Sequence, residues 1–110
     1  MGYAKQGQNT KGIHIRQYSR AFAFEDDSGN RNVFVSVDIA MMGQLVKMTV
    51  IQELQKELGY EIYTAENVVL SATHTHSGPA GYLQYILFEV TSAGFIEQTF
   101  QAIVMGITRV

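Results

Sequence analysis

Between residues 33 and 73 the apolar pattern changes period twice, and those changes limit what the chain can become. Val33-Phe34-Val35-Ser36-Val37-Asp38-Ile39 is β-branched and nearly continuous in its apolarity, which predicts a strand covered on both faces at the centre of a sheet. After Ala40 the period lengthens. Val46, Val50, Leu54 and Leu58 recur every four residues while Lys47, Glu53, Lys56 and Glu57 fall mostly elsewhere, the pattern of an amphipathic helix. Gly59 stands where such a helix would stop. Asn67-Val68-Val69-Leu70-Ser71-Ala72-Thr73 then returns to a buried-strand pattern. Strand, helix and strand in this order predict a right-handed parallel crossover.

The flanking segments extend this unit. Ile13, Ile15, Tyr18 and the run Ala21 to Phe24 alternate imperfectly, predicting a first strand with one buried face. Asp26-Asp27-Ser28-Gly29-Asn30-Arg31-Asn32 is a turn cluster, because Asp, Asn and Gly tolerate left-handed backbone and bond their own main chain. A β-hairpin follows from the two readings together. Phe95, Ile96, Phe100, Ile103, Val104 and Ile107 return to helical spacing and run to the last residue without a stop signal. The expectation is an α/β fold, a β-hairpin followed by a parallel βαβ unit and a C-terminal helix, with the chain ending as if cut from something larger. At 110 residues, 46% of them apolar, a single core can form without staples.

Several function classes fall away on composition. Eight Lys and Arg against ten Asp and Glu give a net charge of −2 with neither sign gathered into a block, so the basic footprint of a nucleic-acid binder is missing. The chain has no cysteine, which excludes disulfides, thiolate nucleophiles and cysteine-ligated zinc. Its apolar runs are far shorter than the roughly 20 residues that cross a bilayer. Met1-Gly2-Tyr3-Ala4-Lys5 lacks the apolar block of a signal peptide.

Chemistry concentrates at Thr73-His74-Thr75-His76-Ser77-Gly78-Pro79, directly after the second strand of the crossover. If extended backbone continues, a period of two throws the imidazoles of His74 and His76 to the same side, where one can ligate a metal while the other reaches a substrate or a bound water. Ligands of open α/β sheets bind beyond the carboxyl ends of parallel strands, which is where this pair emerges. A His-x-His pair elsewhere would read as two ordinary loop histidines. Asp38 closes the neighbouring strand at the same edge. It could accept the second ring proton of a metal-bound histidine, or it could cap the helix that follows. His14, inside the alternating first strand, reads as an edge residue as far as its imidazole is concerned. Ser77 lacks a Gly-x-Ser-x-Gly elbow and is given no catalytic role. Tyr82, Tyr85, Phe88 and Phe95 fit either an apolar groove for a lipid chain or ordinary core packing.

The segment from Asn67 to Tyr82, with its Thr-His-Thr-His-Ser-Gly-Pro centre at 73–79, resembles the neutral, non-lysosomal ceramidase family. Met1-Gly2-Tyr3, Gly12-Ile13, the stretch from Arg16 to Phe22, Val35 to Ile39, and Gly94 to Phe100 carry the same resemblance. It implies a zinc amidohydrolase that cleaves ceramide into sphingosine and a fatty acid. By the same resemblance His74 is a zinc ligand and His76 is catalytic and contacts substrate. Gly2 becomes a backbone contact to substrate, and the main-chain carbonyl of His14 becomes a ligand of a calcium or magnesium ion. The remaining zinc ligands, another His, a Glu and a Tyr, come from later in a longer chain. Residues 1–110 are therefore expected to be a partial amino-terminal catalytic domain, inactive alone, whose partners are ceramide, the rest of that domain and, in the full-length protein, a membrane surface. The alternative is a truncated, inactive interaction product. The resemblance places family members outside the cell, secreted or attached to the plasma membrane.

Overall fold

The computed structural model describes Lys5 and residues 7–109. Three strands form one sheet in the order β1-β2-β3. β1 (Ser19–Glu25) and β2 (Arg31–Val37) make the expected antiparallel hairpin, in register from Ser19 opposite Val37 to Glu25 opposite Arg31. β2 pairs in parallel with β3 (Val68–Ala72) and so lies at the centre of the sheet. Between them runs α1 (Gln44–Leu58), and after them come the short α2 (Ile86–Ser92) and α3 (Glu97–Thr108). The hairpin, the parallel βαβ unit and the C-terminal helix all match the sequence reading.

The hairpin turn is built by one carboxylate. Asp26 accepts the Ser28 and Asn30 backbone N–H groups at 2.9 Å each and the Asn30 side-chain amide at 2.7 Å. Gly29 takes a φ of +81° there. Those hydrogen bonds to the charged form hold the Asp26 carboxyl below its ordinary pKa.

The first strand starts later than the alternation suggests. Ile13 and Ile15 lie in irregular backbone and are 93% and 64% exposed. β2 leaves the sheet after Val37, where the Ile39 N–H turns back to the Val37 carbonyl at 2.9 Å. Beyond Tyr18, whose carbonyl takes the Asp38 N–H at 2.8 Å, no strand among the described residues pairs with the earlier ones. His14 is consequently not a strand-edge residue; it sits in the exposed lead-in.

One face of the sheet carries the core. Val35 and Val37 of β2 pack with Val46 and Val50 of α1 and with Phe100, Val104 and Ile107 of α3. Burying Val46 and Val50 completely contributes about 1.5–3 kcal/mol each. Leu54 packs against this cluster, but Leu58, the last residue of the predicted stripe, is half exposed. The opposite face corrects the expectation of a strand covered on both sides. Phe22, Phe34 and Val69 stand abreast across the three strands there, and Phe22 and Val69 are 51% and 49% exposed.

Two glycines sit in close approaches. A Cβ at Gly43, the residue capping α1, would meet Leu83 at 2.9 Å. At Gly81 a Cβ would lie 2.6–2.9 Å from three side-chain atoms of Ile96, and its φ is +86°. The Gly81 carbonyl also accepts the Ile96 N–H that starts α3. Gly81→Ala therefore combines a left-handed strain with an overpacked contact, and each costs about 1–3 kcal/mol. A chemical-denaturation midpoint for Gly81→Ala within error of the parent protein would contradict this account.

Candidate functional site

Parallel pairing of β2 with β3 brings the ends of both strands to one edge. The ladder runs one residue past β3, with the Thr73 N–H bonded to the Val37 carbonyl at 2.9 Å, so the residues after Val37 and those after Thr73 diverge from a common point. His74 then adopts a φ of +64°, a left-handed conformation that non-glycine residues seldom take. The backbone does not continue extended. That kink carries the His74 ring back toward the β2 end, where Nδ1 lies 2.7 Å from the Ala40 carbonyl oxygen. A carbonyl oxygen only accepts, so Nδ1 carries the proton. In the neutral ring Nε2 is then left with a free lone pair.

His76 meets that lone pair. Its Nε2 is 3.3 Å from His74 Nε2, and the two rings stand edge to face with centroids 4.7 Å apart at 85°. Because His74 Nε2 is the acceptor, His76 Nε2 carries the proton between them. The two imidazoles share a side, as the spacing of two anticipates, although the kink at His74 achieves it. His74 is exposed and His76 is half-buried.

Asp38 sits at the same edge but serves other partners. Its carboxylate pairs with both terminal nitrogens of Arg20 at 3.2 and 3.3 Å, accepts the Tyr18 N–H at 3.1 Å, and is hydrogen-bonded by the Thr73 side chain. The Arg20 guanidinium is the leading cause of its lowered pKa. The ring-proton acceptor expected of Asp38 is the Ala40 carbonyl, because the turn after β2 moves Ala40, not Asp38, into contact with His74. Asp38 is no helix cap either: α1 begins at Gly43 without a side-chain cap.

His14 lies in the irregular segment before β1, and Gly2 lies outside the described residues. Tyr82 is a core residue, fully buried with its hydroxyl bonded to Met41, which decides against a lipid groove at that ring. Phe88 and Phe95 pack against the same core, whereas Tyr85 is 43% exposed. The Ala40 carbonyl has no sequence signal, since every residue carries one. Among the described residues no group of three or more His, Asp or Glu is placed to hold a metal. What is present is a histidine whose tautomer is set by a backbone carbonyl and whose Nε2 lone pair, facing the second imidazole, is the one a metal would have to take. No helix among the described residues is long and apolar enough to cross a membrane.

Asp38, with its pKa depressed, contributes stability that is present above its unfolded-state pKa and lost as pH falls through the lower folded-state value. Asp38→Asn is accordingly expected to lower the melting temperature at pH 7 relative to the parent. The gap between the two should close below pH 3.8, the ordinary value of the group. A gap that persists unchanged at pH 2 would show that the carboxylate charge is not what Arg20 and Tyr18 hold.

Comparison with known proteins gives a consistent result. The sequence profile described as neutral/alkaline non-lysosomal ceramidase, N-terminal, matches residues 1–110. Neutral ceramidase A of Dictyostelium discoideum is 53% identical over 109 residues, covering 99% of this chain and 15% of the relative. Neutral ceramidase 3 of Arabidopsis thaliana is 50% identical over 107 residues, covering 97% of this chain and 14% of the relative. The crystal structure of neutral ceramidase from Pseudomonas aeruginosa superposes with a TM-score of 0.93 at 44% identity, over 99% of this chain and 17% of that one. This chain thus spans about one-seventh of the length of the curated relatives it matches.

Proposed function

The chain belongs to the neutral/alkaline non-lysosomal ceramidase family, and from that premise we propose that it supplies the His74–His76 corner of a zinc site hydrolysing the N-acyl bond of ceramide. The reaction adds water across an amide: hydroxyl joins the acyl carbon to give a fatty acid, and hydrogen joins the nitrogen to give sphingosine. The observation that supports the reading is the 2.7 Å contact between His74 Nδ1 and the Ala40 carbonyl, which puts the proton on Nδ1 and leaves the Nε2 lone pair as the one a metal would take. Zinc, when bound, supplies Lewis acidity that polarises the amide carbonyl and makes water a nucleophile near neutral pH.

His74 would hold its share of the ion through Nε2. His76 Nε2 lies within 3.3 Å of that corner; with zinc on the His74 lone pair the His76 N–H would be released from that contact and would suit bonding the substrate oxygen as it gains charge or delivering a proton. Catalytic zinc needs about three protein ligands and an open position, so the other ligands come from the rest of the catalytic domain and residues 1–110 alone do not turn over ceramide. A backbone contact of Gly2 to substrate and a calcium or magnesium ion at the His14 carbonyl belong to the same proposal and are supported by family resemblance. So are a membrane surface as partner and an extracellular location, secreted or at the plasma membrane.

In the natural protein carrying this segment, His74→Ala should lose zinc, measured by elemental analysis, together with sphingosine release. His76→Ala should keep its zinc while kcat falls about 10²–10⁴-fold, the range for removing a positioned proton donor. Stoichiometric zinc retained by His74→Ala would sink the reading. Zinc lost from both variants would make His76 a ligand as well.

A further inference from the structure

The Ala40 carbonyl that orients His74 belongs to a peptide unit whose other end is also held. Tyr82 is 0% exposed. Its hydroxyl accepts the Met41 N–H at 3.1 Å and donates to the Met41 carbonyl at 3.0 Å. The Met41 N–H and the Ala40 carbonyl are the two polar groups of one planar peptide, so fixing the first aims the second. His74 Nδ1 and Tyr82 Oη therefore grip opposite sides of the same rigid plate. An N–H already engaged by an acceptor also polarises its amide and strengthens the carbonyl beyond it.

Two features make this grip specific to the site. The hydroxyl satisfies both backbone groups of Met41 just where β2 has left the sheet and ladder pairing has ended. The same ring sits within the core formed by Val35, Val37, Val46 and Leu83, so the oxygen cannot wander. Tyr85 offers a contrast on the same loop. Its hydroxyl takes the Gln44 N–H at a longer 3.4 Å and it is 43% exposed.

We propose that Tyr82 is a positioning residue for His74, acting through the Ala40–Met41 peptide to fix the ring's tautomer and aim its Nε2 lone pair. The proposal rests on the reading of His74 as a zinc ligand. The test uses the full natural protein with Tyr82→Phe, which keeps the ring and its packing, and Tyr85→Phe as the comparison. Zinc affinity measured by chelator competition should weaken about 10–100-fold in Tyr82→Phe, the range for losing a partner behind a ligand, and stay within twofold in Tyr85→Phe. At limiting zinc kcat should fall with KM unchanged, and added zinc should restore it. In zinc-stripped protein, ¹⁵N shifts of labelled histidine should show one His74 tautomer, protonated at Nδ1, in the parent and a mixture in Tyr82→Phe. Should Tyr82→Phe not fold, 3-fluorotyrosine at position 82 retains the hydroxyl while weakening it as an acceptor, and a smaller loss of zinc affinity is expected. Unchanged affinity and an unchanged tautomer in the folded variant would overturn the positioning role while His74→Ala still lost its zinc. Zinc retained by His74→Ala would instead overturn the ligand reading beneath it.

Discussion

The parallel pairing of β2 with β3 is the constraint on which the site depends. An antiparallel pair would send the two chain exits to opposite ends of the sheet, whereas the parallel register from Val33–Val68 to Val37–Ala72 sends both to one edge. Ala40 and His74, 34 residues apart in sequence, meet there at 2.7 Å. Every later feature, the tautomer of His74, the lone pair at Nε2 and the facing His76, presupposes that meeting. Helix α1 makes the parallel arrangement possible by bridging the strands, and its buried Val46 and Val50 fasten the bridge to β2.

A cost is attached to this geometry. His74 in the left-handed region is destabilised by about 1–3 kcal/mol relative to a relaxed backbone. Glycine would remove the strain and with it the imidazole, so the conformation must be held from outside. On one side the ladder fixes Thr73 through the Val37 carbonyl, with Asp38 taking the Thr73 side chain. On the other the ring itself is tied to Ala40. Asp38 thus influences the pair through the strand end rather than through the imidazole. Its ion pair with Arg20 also fastens β1 to the same edge.

Much of this architecture was legible from periodicity, and the failures share a physical cause. The β-branched run at 33–39, the four-residue spacing through α1 and the Asp26 turn report local preferences that the structure keeps. Ile13 and Ile15 alternate like strand residues but lie in irregular backbone, because strand identity depends on the pairing available opposite and no strand among the described residues pairs with them. The face bearing Phe22, Phe34 and Val69 shows the same limit: Phe22 and Val69 are of buried-strand type and stay about half exposed. The short helix α2 escaped the periodic reading, being seven residues long.

At the site, side chains were legible and backbone was not. His74 and His76 stand out by type, spacing and position after a strand. The group that sets the His74 proton is a main-chain carbonyl, and the group that braces this carbonyl is a tyrosine that sequence alone could assign equally to core or to groove. A core tyrosine in place of phenylalanine carries a desolvated hydroxyl, which costs stability unless both its donor and acceptor roles are filled. Tyr82 fills both at Met41, and burial raises its pKa so that the proton needed for donation stays in place. Polarity inside an otherwise apolar cluster is thus placed where the backbone leaves the sheet, and the same atoms that complete the core hold the peptide facing the histidines.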